Sequence, residues 1–150
     1  MELEHLMDIT VEVEPPDQLG EFPQGERRLI RFSGGSFVGV DGLRGTVAEG
    51  GVDWQIERAD GVIEITAHYW LRTDGGDAIE VRSDGLRVAR PEVVERIAAG
   101  EPVDPSEYYF RTHIRLGTSS ERHDRLNRIL AVAWGERAQS TVRIHVYAVL

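Results

Sequence analysis

The stretch that decides the fold is 62-VIEITAHYWLRTDGGDAIEVRS-83. Ala67, Tyr69, Leu71 and Thr73 fall on one face and His68, Trp70 and Arg72 on the other, the period of two that marks a strand with unlike faces. Asp74-Gly75-Gly76 breaks the pattern with residues that accept positive φ, and a returning strand follows over Ala78–Ser83. The stretch therefore reads as an antiparallel hairpin.

The same grammar extends in both directions. Upstream, Met7, Ile9, Val11 and Val13 alternate with Asp8, Thr10 and Glu12 until Pro15-Pro16, which cannot donate to a ladder. A polar loop through Gln24-Gly25 is expected next, then a strand over Arg28–Phe32 and a turn at Ser33-Gly34-Gly35. Phe37–Val47 is strand-like but carries Gly39, Gly42 and Gly45, which suit the bulges of a coiled wall. Asp53–Arg58 leads through Asp60-Gly61 into the hairpin. Downstream, Glu107–Leu116, Ile129–Trp134 and the alternating Val142, Ile144, Val146 and Ala148 read as strands. One helix is predicted from Pro91 to Ala99, with proline in the first turn, an apolar stripe of Val93, Val94 and Ile97, and Gly100 as its stop. A weaker helical turn falls at Ser120–Leu126. About eight to ten short strands and one helix point to an all-β, closed or nearly closed antiparallel barrel. Residues 1–150 are expected to form one domain.

Composition narrows the chemistry. The chain has no cysteine, which removes disulfides, thiolate nucleophiles and zinc–thiolate sites. All 17 basic residues are arginine, so Schiff-base chemistry and a P-loop lysine are also absent. A net charge of −9, with arginines interleaved among acids, argues against nucleic acid. No apolar run is long enough for a membrane helix, and the first residues lack a secretory pattern, so a soluble cytoplasmic protein is expected. His5, His68, His113, His123 and His145 have no metal-binding spacing, and neither GxSxG nor GxGxxG occurs. No metal and no cofactor are expected.

Two short stretches carry candidate chemistry. In 50-GGVDWQ-55 a glycine turn precedes an acid and an indole, and alternation lets one of Asp53 and Trp54 face inward. Asp53 inside, beside an aromatic, would be a general base; outside, it would bond turn amides. In 108-YYFRT-112 Tyr109 and Arg111 share a face. An inward Arg111 would need a carboxylate such as Asp53 or an anionic ligand, and an outward one would meet a surface acid. Tyr69 reads either as a cavity phenol or a core tyrosine, and Asn127 either as a ligand amide or a turn residue.

GGSFVG at 34–39, LRGTVAEGGVDWQ at 43–55, Thr73-Asp74-Gly75, EPVDPSEYYFRT at 101–112 and Leu126-Asn127-Arg128 occur together in this order. In this the chain resembles the DUF3237 family, also called UPF0311, of small bacterial and fungal proteins. The resemblance implies a calycin-like barrel with an interior cavity, and no agreed reaction. The chain departs from the family's usual residues at three places: Leu116 and Arg125 stand where an aromatic is usual, and Gly75 where an acid is frequent.

The expected function is cofactor-free acid–base chemistry, an isomerisation, elimination or cyclisation of a carbonyl-containing metabolite, and the expected partner is a small organic molecule, anionic or carbonyl-containing. Asp53 would be the base, Arg111 and Tyr109 would stabilise negative charge, and Trp54, Tyr69 and Asn127 would contact the ligand. A non-catalytic carrier, or a module that self-associates through its outer wall, is the alternative. Exposed apolar residues such as Trp70 and Val149 suggest a homodimer.

Overall fold

In the computed structural model, which describes residues 1–150, ten strands alternate with tight turns. They are β1 (Leu3–Val13), β2 (Asp17–Phe22), β3 (Gly25–Gly39), β4 (Arg44–Val47), β5 (Val52–Glu57), β6 (Ile63–Thr73) and β7 (Ala78–Val88). After the helix α1 (Pro91–Ala98) come β8 (Tyr109–Thr118), β9 (Leu130–Arg137) and β10 (Thr141–Val149). Every pairing is antiparallel.

The ring runs β1-β10-β9-β8-β7-β6, passes through β4 and β5, and returns by β3 to β1. β4 and β5 both bridge β3 to β6, one above the other, so they share a single position in the wall. The result is a closed eight-stranded barrel with two extra strands. β2 is the other addition: it folds back on the first part of β3, outside the ring.

Several elements differ from expectation, and in β3 the reason is the curvature of the wall. β3 is one long strand, and Ser33-Gly34-Gly35 is a bend inside it rather than a turn. At Gly35, with φ at +138°, a Cβ would sit 2.0 Å from the Thr10 carbonyl oxygen, so the bend needs glycine there. The expected strand Phe37–Val47 is instead cut at Gly39 and resumes as β4. The polar stretch after Pro15-Pro16 contains β2. β7 continues past Ser83 to Val88 and β9 past Trp134 to Arg137. The predicted helix forms with Val93 and Ile97 buried, and the helical turn becomes a short 3-10 segment at Asp124–Arg128.

The barrel has two unlike halves. One is filled by Met7, Leu71, Ile79, Val81 and Val146, all with no measurable exposure. In the other half, Asp53 pairs with Ala67 and Ala67 with Ser83, so short side chains sit side by side along the inner wall. Short side chains there leave space that the longer aliphatics occupy in the filled half. Over that hollow end lies α1, whose Ala98 carbonyl accepts a 3.3 Å bond from Gln139 in the β9–β10 turn. No helix is long and apolar enough to cross a membrane.

Candidate functional site

The turn before β5 sets the site. Gly50 adopts φ +98°, a conformation costly for other residues. Gly51 is required for a different reason: a Cβ there would lie 2.4 Å from Tyr69 Cβ and 2.9 Å from the Phe32 ring. The turn is pinned to β3 by Phe32 N–H donating to the Gly51 carbonyl at 2.8 Å. It therefore presses against the aromatic pair Phe32–Tyr69, whose rings meet edge to face at 5.0 Å. From this anchor β5 alternates without a bulge. Asp53 and Gln55 point inward, and Trp54 points out.

Asp53 lines an inner cavity of about 40 Å³ walled largely by Val11, Ile30, Phe32, Ile65, Tyr69 and Phe110. That is room for a few waters or the tip of a ligand. Asp53 is the one acid lining the cavity and no histidine does, so the donors suit proton transfer better than a metal. The polar residues there are Asp53, Gln55, Tyr69, Ser83, Arg87, Thr112 and Arg137. The cavity shares Val13, Ile30, Arg87 and Arg137 with an outer vestibule of about 450 Å³. Pro15, Pro16, Arg28, Val94, Ile97 and the 138–140 turn complete the vestibule.

A hydrogen-bonded relay orients the carboxylate. Arg28 Nε donates to Gln55 Oε1 at 2.7 Å, and Gln55 Nε2 donates to Asp53 Oδ2 at 2.7 Å. Oδ1 is buried without a partner, as is Thr112 Oγ1. Burial disfavours the ionised carboxyl and raises the Asp53 pKa to about 6; Gln55, the Thr66 backbone, Arg87 and Arg28 oppose that rise. Burial also pushes the Tyr69 phenol up, and the nearby Asp53 adds to this. Arg87 is lowered to about 10, first by burial and then by Arg137 and Arg28. A group poised near neutrality beside a cation is suited to taking a proton from a weak acid and holding the resulting anion.

Of the residues expected at the site, Asp53 and Tyr69 meet inside, both buried. The expected positions of the others are corrected. Trp54 lies on the outer wall, 41% exposed, with the Arg27 guanidinium over its ring at 5.2 Å. Tyr109 and Arg111 share a face, but it is the outer one: Arg111 stacks over Tyr109 at 5.1 Å and donates to the Phe110 carbonyl. Tyr108, Phe110 and Thr112 take the inward positions on that stretch. Asn127 is a turn residue at the filled end, accepting from Thr118 N–H at 2.8 Å and donating to the Thr118 carbonyl.

The sequence reading missed Gln55, Arg87, Arg28, Arg137, Ser83 and Thr112. Arg87 had a signal, since Ile79, Val81, Ser83, Gly85 and Arg87 continue one face. Gln55 follows from Asp53 by the same period.

A family model described as "Protein of unknown function (DUF3237)" matches residues 1–149. A UPF0311 protein of Clostridium acetobutylicum is 34% identical over 150 residues, covering 99% of this chain and 94% of its own. Among solved structures, a Rhodopseudomonas palustris protein of unknown function superposes with a TM-score of 0.91 at 34% identity, over 99% of this chain and 97% of that one. A β-barrel-like protein of Acinetobacter baumannii superposes with a TM-score of 0.84 at 34% identity, over 98% and 94%.

Proposed function

The chain belongs to the DUF3237 family, and from the interior of its barrel we propose that it is a cofactor-free acid–base enzyme acting on a small carbonyl compound. The observation that carries this reading is Asp53: inward, pKa near 6, one oxygen held by Gln55 and the other unpartnered beside the cavity.

Asp53 Oδ1 takes a proton from the carbon next to a carbonyl. The C–H electron pair becomes the enolate double bond, and the carbonyl π pair moves onto oxygen. Arg87, which with Arg137 replaces Arg111 and Tyr109 in this role, stabilises that oxygen. Protonated Asp53 then returns the proton at a different position, which completes an isomerisation. If the substrate carries a leaving group β to the carbonyl, the same enolate expels it with its electron pair in an elimination; if it carries an internal electrophile, the enolate carbon attacks it in a cyclisation. Apolar walls limit competing water, and the Gln55–Arg28 relay keeps the carboxylate in one orientation.

The test is proton exchange in D₂O across a panel of enolisable ketones and keto acids, followed by proton NMR. The wild-type protein is expected to accelerate deuterium incorporation into at least one, and Asp53→Asn to lose about 10²-fold or more of that rate. Unchanged exchange in Asp53→Asn would remove the base assignment. Saturable binding of a panel member with no exchange in either protein would identify a carrier instead.

A further inference from the structure

Three guanidiniums gather where the inner cavity meets the vestibule. Arg87 lines both spaces, Arg137 does likewise from β9, and Arg28 lines the vestibule from β3. They are close enough that Arg137 and Arg28 both act on Arg87, and Arg28 acts on Arg137. None of the three takes part in the protein's ion pairs. Arg28 spends its Nε on Gln55, and Arg137 spends one terminal nitrogen on carbonyls of its own turn. Arg87 is 8% exposed, and its side chain has no hydrogen-bonded partner within the protein.

A charged group so buried is costly unless a counter-charge meets it. The nearby acids fall short of three positive charges. Asp53 acts on all three, and Glu57 acts on Arg28. In a protein of net charge −9 this mouth is a local inversion of sign. Guanidinium forks match planar oxyanions, and they do so best where water is scarce. The surfaces flanking the cluster are Pro15, Ile30, Val94 and Ile97, which offer nothing to an inorganic ion and much to a carbon skeleton.

We propose that Arg28, Arg87 and Arg137 form a carboxylate-binding subsite, and that the ligand of this barrel is a small amphipathic organic acid. Its carboxylate meets the arginine cluster, its apolar body lies in the vestibule, and its reactive tip enters the cavity beside Asp53. This names the substrate class for the acid–base reading above and rests on that reading only in treating the ligand as a substrate.

The probes are benzoate, its neutral counterpart benzamide, and inorganic phosphate, titrated by calorimetry at neutral pH and low salt. Benzoate is expected to bind at least about tenfold more tightly than either of the others, as a charge-assisted bidentate contact implies. Arg87→Met, and separately Arg28→Gln at a less deeply buried position where folding is less at risk, should each weaken benzoate about tenfold or more while leaving benzamide unchanged. Circular dichroism confirms that each variant is folded. Asp53→Asn removes a negative charge near the subsite and should keep or tighten benzoate binding, so failure of the base assignment is read on a different variant. Equal affinity for benzoate and benzamide, no saturable benzoate binding, or unchanged benzoate affinity in a folded arginine variant would overturn the subsite. Phosphate binding as tight as benzoate would overturn the organic-acid class.

Discussion

At the scale of single residues, Asp53 is held in a place that opposes its charge. Its folded pKa of about 6 lies above the ordinary 3.8, so folding favours the protonated form. The stabilising contribution is fully present below about pH 4 and is lost as pH rises through 6. Asp53→Asn, which removes the charge, is therefore expected to be more stable than wild type near pH 8, by up to about 3 kcal/mol. The difference should shrink towards zero near pH 4. Denaturant unfolding of both proteins across that range measures it, and a difference independent of pH would contradict the assigned environment. Which residues pair on a face was legible throughout: Tyr109 with Arg111, and Asp53 apart from Trp54. Which face turns inward was legible less often. On β8 the set Tyr109, Arg111, His113 and Arg115 is plainly the wetter one, against Phe110, Thr112, Ile114 and Leu116. An attractive pairing of Arg111 with Asp53 outweighed that simpler signal.

At the scale of elements, the glycine turn into β5 does two separable jobs. Gly50 supplies a positive φ in open space, whereas Gly51 supplies room against Tyr69 and Phe32. Gly51→Ala must displace a buried aromatic and is expected to cost about 2 to 3 kcal/mol and to disturb the cavity. Gly50→Ala carries backbone strain alone, about 1 kcal/mol. Equilibrium unfolding of the two variants gives the comparison, and an equal or reversed order would refute the packing role of Gly51. The helix, the hairpin at Asp74-Gly75-Gly76 and most strands were readable because their patterns are local. The bend in β3 was not, because glycine looks the same in a turn and in a curved strand. What decides between them is the Thr10 carbonyl on a neighbouring strand, far away in the sequence. The end of β7 was readable but cut short at Ser83, and with it went Arg87.

At the scale of the whole molecule, the barrel is filled at one end and hollow at the other. Long aliphatic residues such as Leu71 and Ile79 pack the first half, and Ala67 and Ser83 open the second around one carboxylate. Closure of the sheet was anticipated from many short glycine-broken strands. The asymmetry was not, because it depends on register: Ile30, Asp53, Ala67 and Ser83 line up across four strands. The arginine cluster likewise draws on β3, β7 and β9, so no local motif announces it. Every wall of the hollow half contributes to the environment of Asp53, which makes its ionisation a readout of the entire arrangement. The most direct measurement is therefore a carbon-13 NMR titration of the side-chain carboxyls, with the Asp53 signal assigned by its absence in Asp53→Asn. The structure predicts a midpoint near pH 6 for that signal. A midpoint near the ordinary 3.8 would mean a solvated carboxylate and would contradict the buried base on which the proposed chemistry depends.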